Sequence, residues 1–198
     1  MTGPSLSSVA TPRRRAIARA LPLVMFAAML LATSGVAVGQ AAPEPAKKAT
    51  VIFDGVAMVQ AAEGNKPGEH WREFIAADED LKHWTRLASI HEYPKIADPK
   101  TAAGNLVRTL QNQNPPVHSA ILVNKKTGEI IVDYIGSPAD HKFVEFNLFR
   151  YSRNPTGGVI AQRYALRRYE NTSDFAEAFK SERQRLVKMM AARGLTVE

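Results

Sequence analysis

The chain has 198 residues, no cysteine and a formal charge of +7, from 26 Lys and Arg against 19 Asp and Glu. The missing thiols exclude disulfides, a lipidated cysteine anchor and thiolate metal sites, so the fold must be held by its core. Arg13, Arg14, Arg15 and Arg19 are the only charges before residue 42, so the remainder carries 22 bases against 19 acids, or +3; that near-balance removes the compositional support for nucleic-acid binding.

The arginine cluster leads into an uncharged run from Ala20 to Pro43. A basic start, an apolar centre and a small-residue end are the layout of a cleavable export signal over residues 1–41. Gly39-Gln40-Ala41 offers small side chains at the −3 and −1 positions, which puts the cut before Ala42. An uncleaved anchor is the alternative, since the run is long enough to span a bilayer. Against it, Pro22 interrupts the run and its last third is Ala, Gly, Ser and Thr rather than Leu and Ile. Arg14-Arg15-Ala16-Ile17 resembles a twin-arginine signal but lacks the usual Phe-Leu, so the Sec-type route is expected and the twin-arginine route is the alternative. The expected location is periplasmic or secreted, with membrane contact only through the signal if it is uncleaved.

Ala42–Lys48 reads as a linker rich in Ala, Pro and Lys, and residues 49–198 as one domain. Ala49–Val59 is β-branched and apolar around Gly55, which predicts a first strand. Gly64–Gly68 reads as a loop, Trp71–Ile75 as a short strand, and Asp78-Glu79-Asp80 as a cap on the turn Leu81–His83. Trp84–His91 alternates as a strand does. Asp98-Pro99 is a helix start, with Ala103, Leu106, Val107 and Leu110 following at helical spacing. Val117–Asn124 and Glu129–Ile135 read as a hairpin about Lys125–Gly128. Lys142–Tyr151 and Val159–Tyr169 are two long strands, joined by a turn at Arg153–Gly158. Thr172 or Ser173 caps a final helix whose apolar stripe is Phe175, Phe179, Leu186 and Met190, with Gly194 ending it. Four consecutive strands joined by turns predict an α+β fold: an antiparallel meander with a middle and a C-terminal helix packed on it.

The segment Arg72-Glu73-Phe74-Ile75, then Glu79-x-Leu81, then Trp84-Thr85-Arg86-Leu87-Ala88-Ser89, is similar to a motif of uncharacterised exported bacterial proteins. Phe143-Val144-Glu145-Phe146-Asn147-Leu148-Phe149-Arg150-Tyr151 extends the likeness, which covers roughly residues 71–170. The element order resembles the PsbP/Mog1-like fold. These resemblances imply an accessory or binding role and supply no catalytic residue.

One constellation stands out. If Ile135 opposes Phe143, Asp133 sits opposite Glu145; if Ser152 opposes Gly158, Asn147 faces Arg163 and Arg167 lies diagonally from Glu145. One sheet face then carries the candidate ligand-binding residues Asp133, Glu145, Asn147, Arg163 and Arg167. The opposite face, with Val132, Tyr134, Val144, Phe146, Leu148, Ile160, Tyr164 and Leu166, is the expected core. A slip of one residue in either strand would dissolve this grouping. The polar face reads as a solvated or helix-covered surface with cross-strand ion pairs, as a shallow site for a small ligand or peptide, or as an acid/base pair, Asp133 with Glu145, suited to glycoside-type hydrolysis.

The five histidines show no metal-ligand spacing, no nucleophile elbow is present, and no phosphate loop or other cofactor motif appears. Lys180, Arg183, Arg185, Lys188 and Arg193 make the last helix basic, which fits a docked helix with a charged outer face or one lying on an anionic membrane. The expected function is a non-catalytic cell-envelope accessory or binding protein for an envelope protein or small ligand. A small hydrolase using Asp133 and Glu145, and a membrane-anchored structural protein, are the alternatives. Intact-mass analysis of the protein recovered from the envelope is expected to give a chain beginning at Ala42; a chain retaining residues 1–41 would contradict the cleavable signal and favour the anchor.

Overall fold

The computed structural model describes residues 48–138, 140–170 and 174–198. The export signal, most of the linker and the Thr172/Ser173 cap lie outside the described residues. Nine strands and three helices run in the order β1 (Thr50–Phe53), β2 (Val56–Lys66), β3 (Glu69–Ile75), β4 (Arg86–Tyr93), α1 (Pro99–Gln111), β5 (Ser119–Val123), β6 (Ile130–Gly136), β7 (Val144–Arg153), β8 (Val159–Arg168), α2 (Phe175–Ala178), α3 (Lys180–Arg193) and β9 (Thr196–Val197).

The strands form one mostly antiparallel half-barrel sheet, ordered β5-β6-β7-β8-β4-β3-β2-β1-β9. The α+β assignment holds broadly, with modest helix content. The sheet is two four-stranded meanders, β1–β4 and β5–β8, joined where β8 pairs with β4, with β9 added beside β1.

The expected first strand is instead a hairpin. Asp54 and Gly55 both adopt positive φ, 53° and 73°. A two-residue turn whose twist matches its strands needs that conformation twice, and Asp-Gly supplies it at low cost. The expected loop at Gly64–Gly68 is also corrected: β2 continues to Lys66, and the chain reverses only at Pro67-Gly68. Asp98 caps α1 as expected, accepting the Thr101 backbone N–H at 2.9 Å, with Pro99 in the first turn. Gly194, at φ 65°, ends α3 by donating its N–H to the Met190 carbonyl at 3.0 Å.

Alternation along the strands separates two cores. On one face, Val144, Phe146, Leu148 and Tyr164 are buried with Val51, Phe53, Met58 and Phe74 beneath Phe175, Phe179, Leu186 and Met190. The aromatic stripe on the last helical segment is therefore what covers that face. On the other face, Ala102 and Ala103 of α1 pack on Ile130, Val132, Tyr151, Val159 and Ala161. Ile160 and Leu166 are half-buried against the α3-side core, as expected. Val132 lies instead in the α1-side core, and Tyr134 stacks on Phe149 on that side too.

Register explains this change. Gly136 opposes Glu145 in the β6–β7 pair, so Asp133 opposes Leu148 and Tyr134 opposes Asn147. This is three residues from the expected alignment, and an odd shift turns β6 over relative to β7. The cause is a longer connection, closed by Ser137, whose Oγ donates to the Phe143 carbonyl at 2.7 Å. The β7–β8 pair shifts by two, with Arg153 opposite Val159, so its faces are kept.

Phe146 is fully buried, and its ring centroid lies 4.7 Å from that of Phe179. Phe146→Ala is expected to lower unfolding free energy by about 3–5 kcal/mol, measured by urea denaturation. A loss below ~1 kcal/mol would contradict the packing of this helical segment on β7.

Candidate functional site

Glu145, Asn147, Arg163 and Arg167 meet on the α1-side face. Arg163 donates through Nε to Asn147 Oδ1 at 2.9 Å, and through Nη2 to Glu145 Oε1 and Asn147 Oδ1, both at 2.6 Å. Arg167 donates to Glu145 Oε2 through Nη2 at 2.9 Å and Nε at 3.1 Å. Its guanidinium lies 3.8 Å from the ring centre of Trp84 and 4.0 Å from that of Phe143. Both oxygens of Glu145 are thus engaged, and Arg167 is sandwiched between aromatic faces that favour a cation.

Asp133 stands apart from this group, on the α3 side. It is buried and receives Nε and Nη2 of Arg183 at 2.6 and 3.0 Å. This fork docks α3 on β6. The expected opposition of Asp133 and Glu145 is therefore corrected: the carboxylates occupy opposite faces, each already held by arginine, and cannot act on one substrate bond together.

A second polar group sits beside the first. The β4–β8 register places Ser89 directly opposite Arg163. Ser89 Oγ is 2.9 Å from His91 Nε2, and His91 Nδ1 is 2.7 Å from Glu69 Oε1. Lys66 Nζ holds Glu69 Oε2 at 2.7 Å. The Tyr93 ring stacks parallel to that of His91, with centroids 6.2 Å apart. Burial holds the His91 imidazole below its ordinary value, against the opposing pull of Glu69. Burial pushes the Glu69 carboxyl up, but the Lys66 and His91 bonds leave it below the usual range. Burial raises the Tyr93 and Tyr151 phenols, so both stay protonated donors.

The bonds run in the order of a hydrolytic Ser-His-acid relay, with Ser Oγ on Nε2 and the acid on Nδ1. Two requirements of that chemistry are missing. Ser89 is fully buried, and the backbone around it is paired with β3 and β8, leaving no free amide to stabilise an oxyanion. The relay is a satisfied polar network behind a surface. Strand alternation along Trp84–His91 turns Ser89 and His91 to one side, but no local pattern reaches Glu69, which lies 22 residues from His91, just beyond the turn that closes the β2–β3 hairpin.

In front of the network, between α1 and the sheet, is a concavity of about 340 Å³. Glu69, His91, Tyr93, Tyr151 and Arg163 line it from the sheet, and Asn105 from α1. A larger open groove of about 1090 Å³ runs between Gln113–Ala120, which spans the α1–β5 connector and the start of β5, and the end of β6. Among the described residues no group of three His, Cys, Asp or Glu is placed to hold a metal. No helix of the described residues is long and apolar enough to cross a membrane.

A protein-family model matches residues 46–195. No curated protein matches the chain. No solved structure matches it either, so the resemblance to the PsbP/Mog1-like fold gains no support.

The His91 network predicts a pH dependence. Below its ordinary value of 6.5 the unfolded chain takes up a proton that the native imidazole resists. Stability is therefore expected to fall as pH drops through 6.5 towards the lowered native value, then level off. Urea midpoints measured between about pH 7.5 and 5.5 check this, with His91→Gln removing the step. A flat profile in the wild type would contradict it.

Proposed function

We propose that this chain, which belongs to the uncharacterised bacterial family matched over residues 46–195, is an exported envelope binding protein. Its ligand site is the concavity between α1 and the sheet. The ligand class is a small polar molecule of little net charge with an apolar face, such as a glycan fragment.

The observation that carries this reading is the composition of that concavity. Parallel rings, Tyr93 on His91 and Phe149 on Tyr151, sit beside the Glu69–His91 and Arg163–Asn147 hydrogen-bonded groups. Ligand sites combine apolar and aromatic walls with a few fixed polar groups in this way. Around the two hydrogen-bonded groups the charges are balanced, with Lys66, Arg163 and Arg167 against Glu69, Glu73 and Glu145. Balance favours a neutral hydrogen-bonding ligand over a strongly charged one. Fixing the polar groups before a ligand arrives reduces the ordering cost of binding.

The export signal read from residues 1–41 supports the envelope location. The hydrolase alternative loses its stated residues, because Asp133 and Glu145 face opposite sides. The anchored structural reading rests on the uncleaved signal alone.

Titrating the mature protein with chitotetraose, followed by amide NMR shifts, tests the reading. Saturable shifts at His91, Tyr93 and Asn105 are expected, with Tyr93→Ala weakening binding about tenfold, or ~1.4 kcal/mol. Shifts confined to Gln113–Ala120, or none with this and other neutral sugars, would overturn it.

A further inference from the structure

We propose that β5 is a self-association edge, at which two copies of this chain join their sheets through antiparallel β5–β5 pairing about a twofold axis at Ile121. Three observations lead there.

The first is exposure. Ile121, Leu122 and Val123 are 55 %, 53 % and 52 % exposed. Ile121 opposes Val132 and Leu122 opposes Ile131, residues of the α1-side and α3-side cores, so β5 shows apolar side chains on both faces. The other large exposed apolar residues of the described set, Leu81 and Val197, are isolated from each other.

The second is the edge itself. Among the described residues β5 ends the nine-stranded sheet, and no described strand pairs with the other side of its backbone. Edge strands are ordinarily blunted by Lys, Pro, a bulge or shortness. Ser119-Ala-Ile-Leu-Val123 contains no charge and no proline, and it pairs with β6 in unbroken register. The opposite edge is the two-residue β9, too short to serve as a template.

The third is self-complementarity. The Asn124 N–H donates to the Glu129 carbonyl at 2.9 Å, so Asn124 bonds inward to the β6 side. Alternation then turns the N–H and C=O groups of Ser119, Ile121 and Val123 outward. A twofold at Ile121 pairs Ile121 with itself and Ser119 with Val123 of the copy, which uses all three outward residues. A twofold at Leu122 would leave Ser119 beyond the paired strand. On the other face Ala120 meets Leu122. Lys125 and Lys126 fall beside Val117 and Pro116 of the copy, so no like charges oppose each other.

The absence of native cysteine makes the test direct. Ile121→Cys would place two thiols across the axis with Cα atoms about 5.5 Å apart, inside the range a disulfide spans. Mild oxidation is expected to give a covalent dimer of the mature protein, whereas Lys125→Cys, which falls beside Val117 of the copy, is expected to give no covalent dimer. Light scattering is expected to give the mass of two chains for the wild type and one for Ile121→Lys, whose charges would oppose across the axis. Because residue 121 is mostly exposed, the thermal midpoint of Ile121→Lys is expected to stay within a few degrees of wild type, which separates lost pairing from unfolding. A wild type that stays monomeric at all concentrations, a dimer that survives Ile121→Lys, or a monomer that instead pairs β5 with another polypeptide would each overturn the proposal.

Discussion

The pairing of β4 with β8 is the constraint on which the rest of this structure depends. Among the described residues it is the seam that joins the two meanders, and both strands are interior to the sheet. Their alternation serves both faces. Ala88, Ile90 and Tyr164 enter the α3-side core, while Ser89, His91 and Arg163 form the centre of the α1 side. A slip of one residue here would bury Arg163 among Phe53 and Phe146 and expose Tyr164. The desolvation penalty of an unpaired guanidinium is several kcal/mol, so the seam has one workable register.

The same seam accounts for the polar character of the α1 face. Half-buried charges are costly unless every one is paired and hydrogen-bonded. Arg163 meets Glu145 and Asn147, Arg167 meets the other oxygen of Glu145 and two rings, and Glu69 meets Lys66 and His91. Such groups are weak evidence for stability, since apolar residues of similar volume often serve as well. Their use is geometric: they hold donors, acceptors and ring faces in fixed positions around the concavity that α1 leaves open.

The sequence made much of the fold legible, and its failures have identifiable causes. Strong local signals were read correctly: Asp98-Pro99 starts α1, Gly194 ends α3, and the Phe175/Phe179/Leu186/Met190 stripe covers a sheet face. Asp54-Gly55 was a hairpin signal hidden within an apolar run, and reading through it fused two strands. The gathering of Glu145, Asn147, Arg163 and Arg167 was visible because a shift of two residues keeps each residue on its face. Asp133 was misplaced because the β6–β7 connection is longer than its turn residues indicate, and the resulting odd shift moves a whole strand. The Ser89–His91–Glu69 network was beyond reach, since it needs the β3–β4 register, which no local pattern encodes.

The proposed function requires the ligand to sit on the α1 face that the seam builds, and not in the larger groove beside β5. Hydrogen–deuterium exchange of the mature protein, with and without a saturating neutral sugar ligand, tests it most directly. Slowed exchange is expected in α1 around Asn105–Thr109, the segment that borders the concavity, with Gln113–Ala120 unchanged. Protection confined to Gln113–Ala120 and the end of β6, with α1 unaffected, would contradict it.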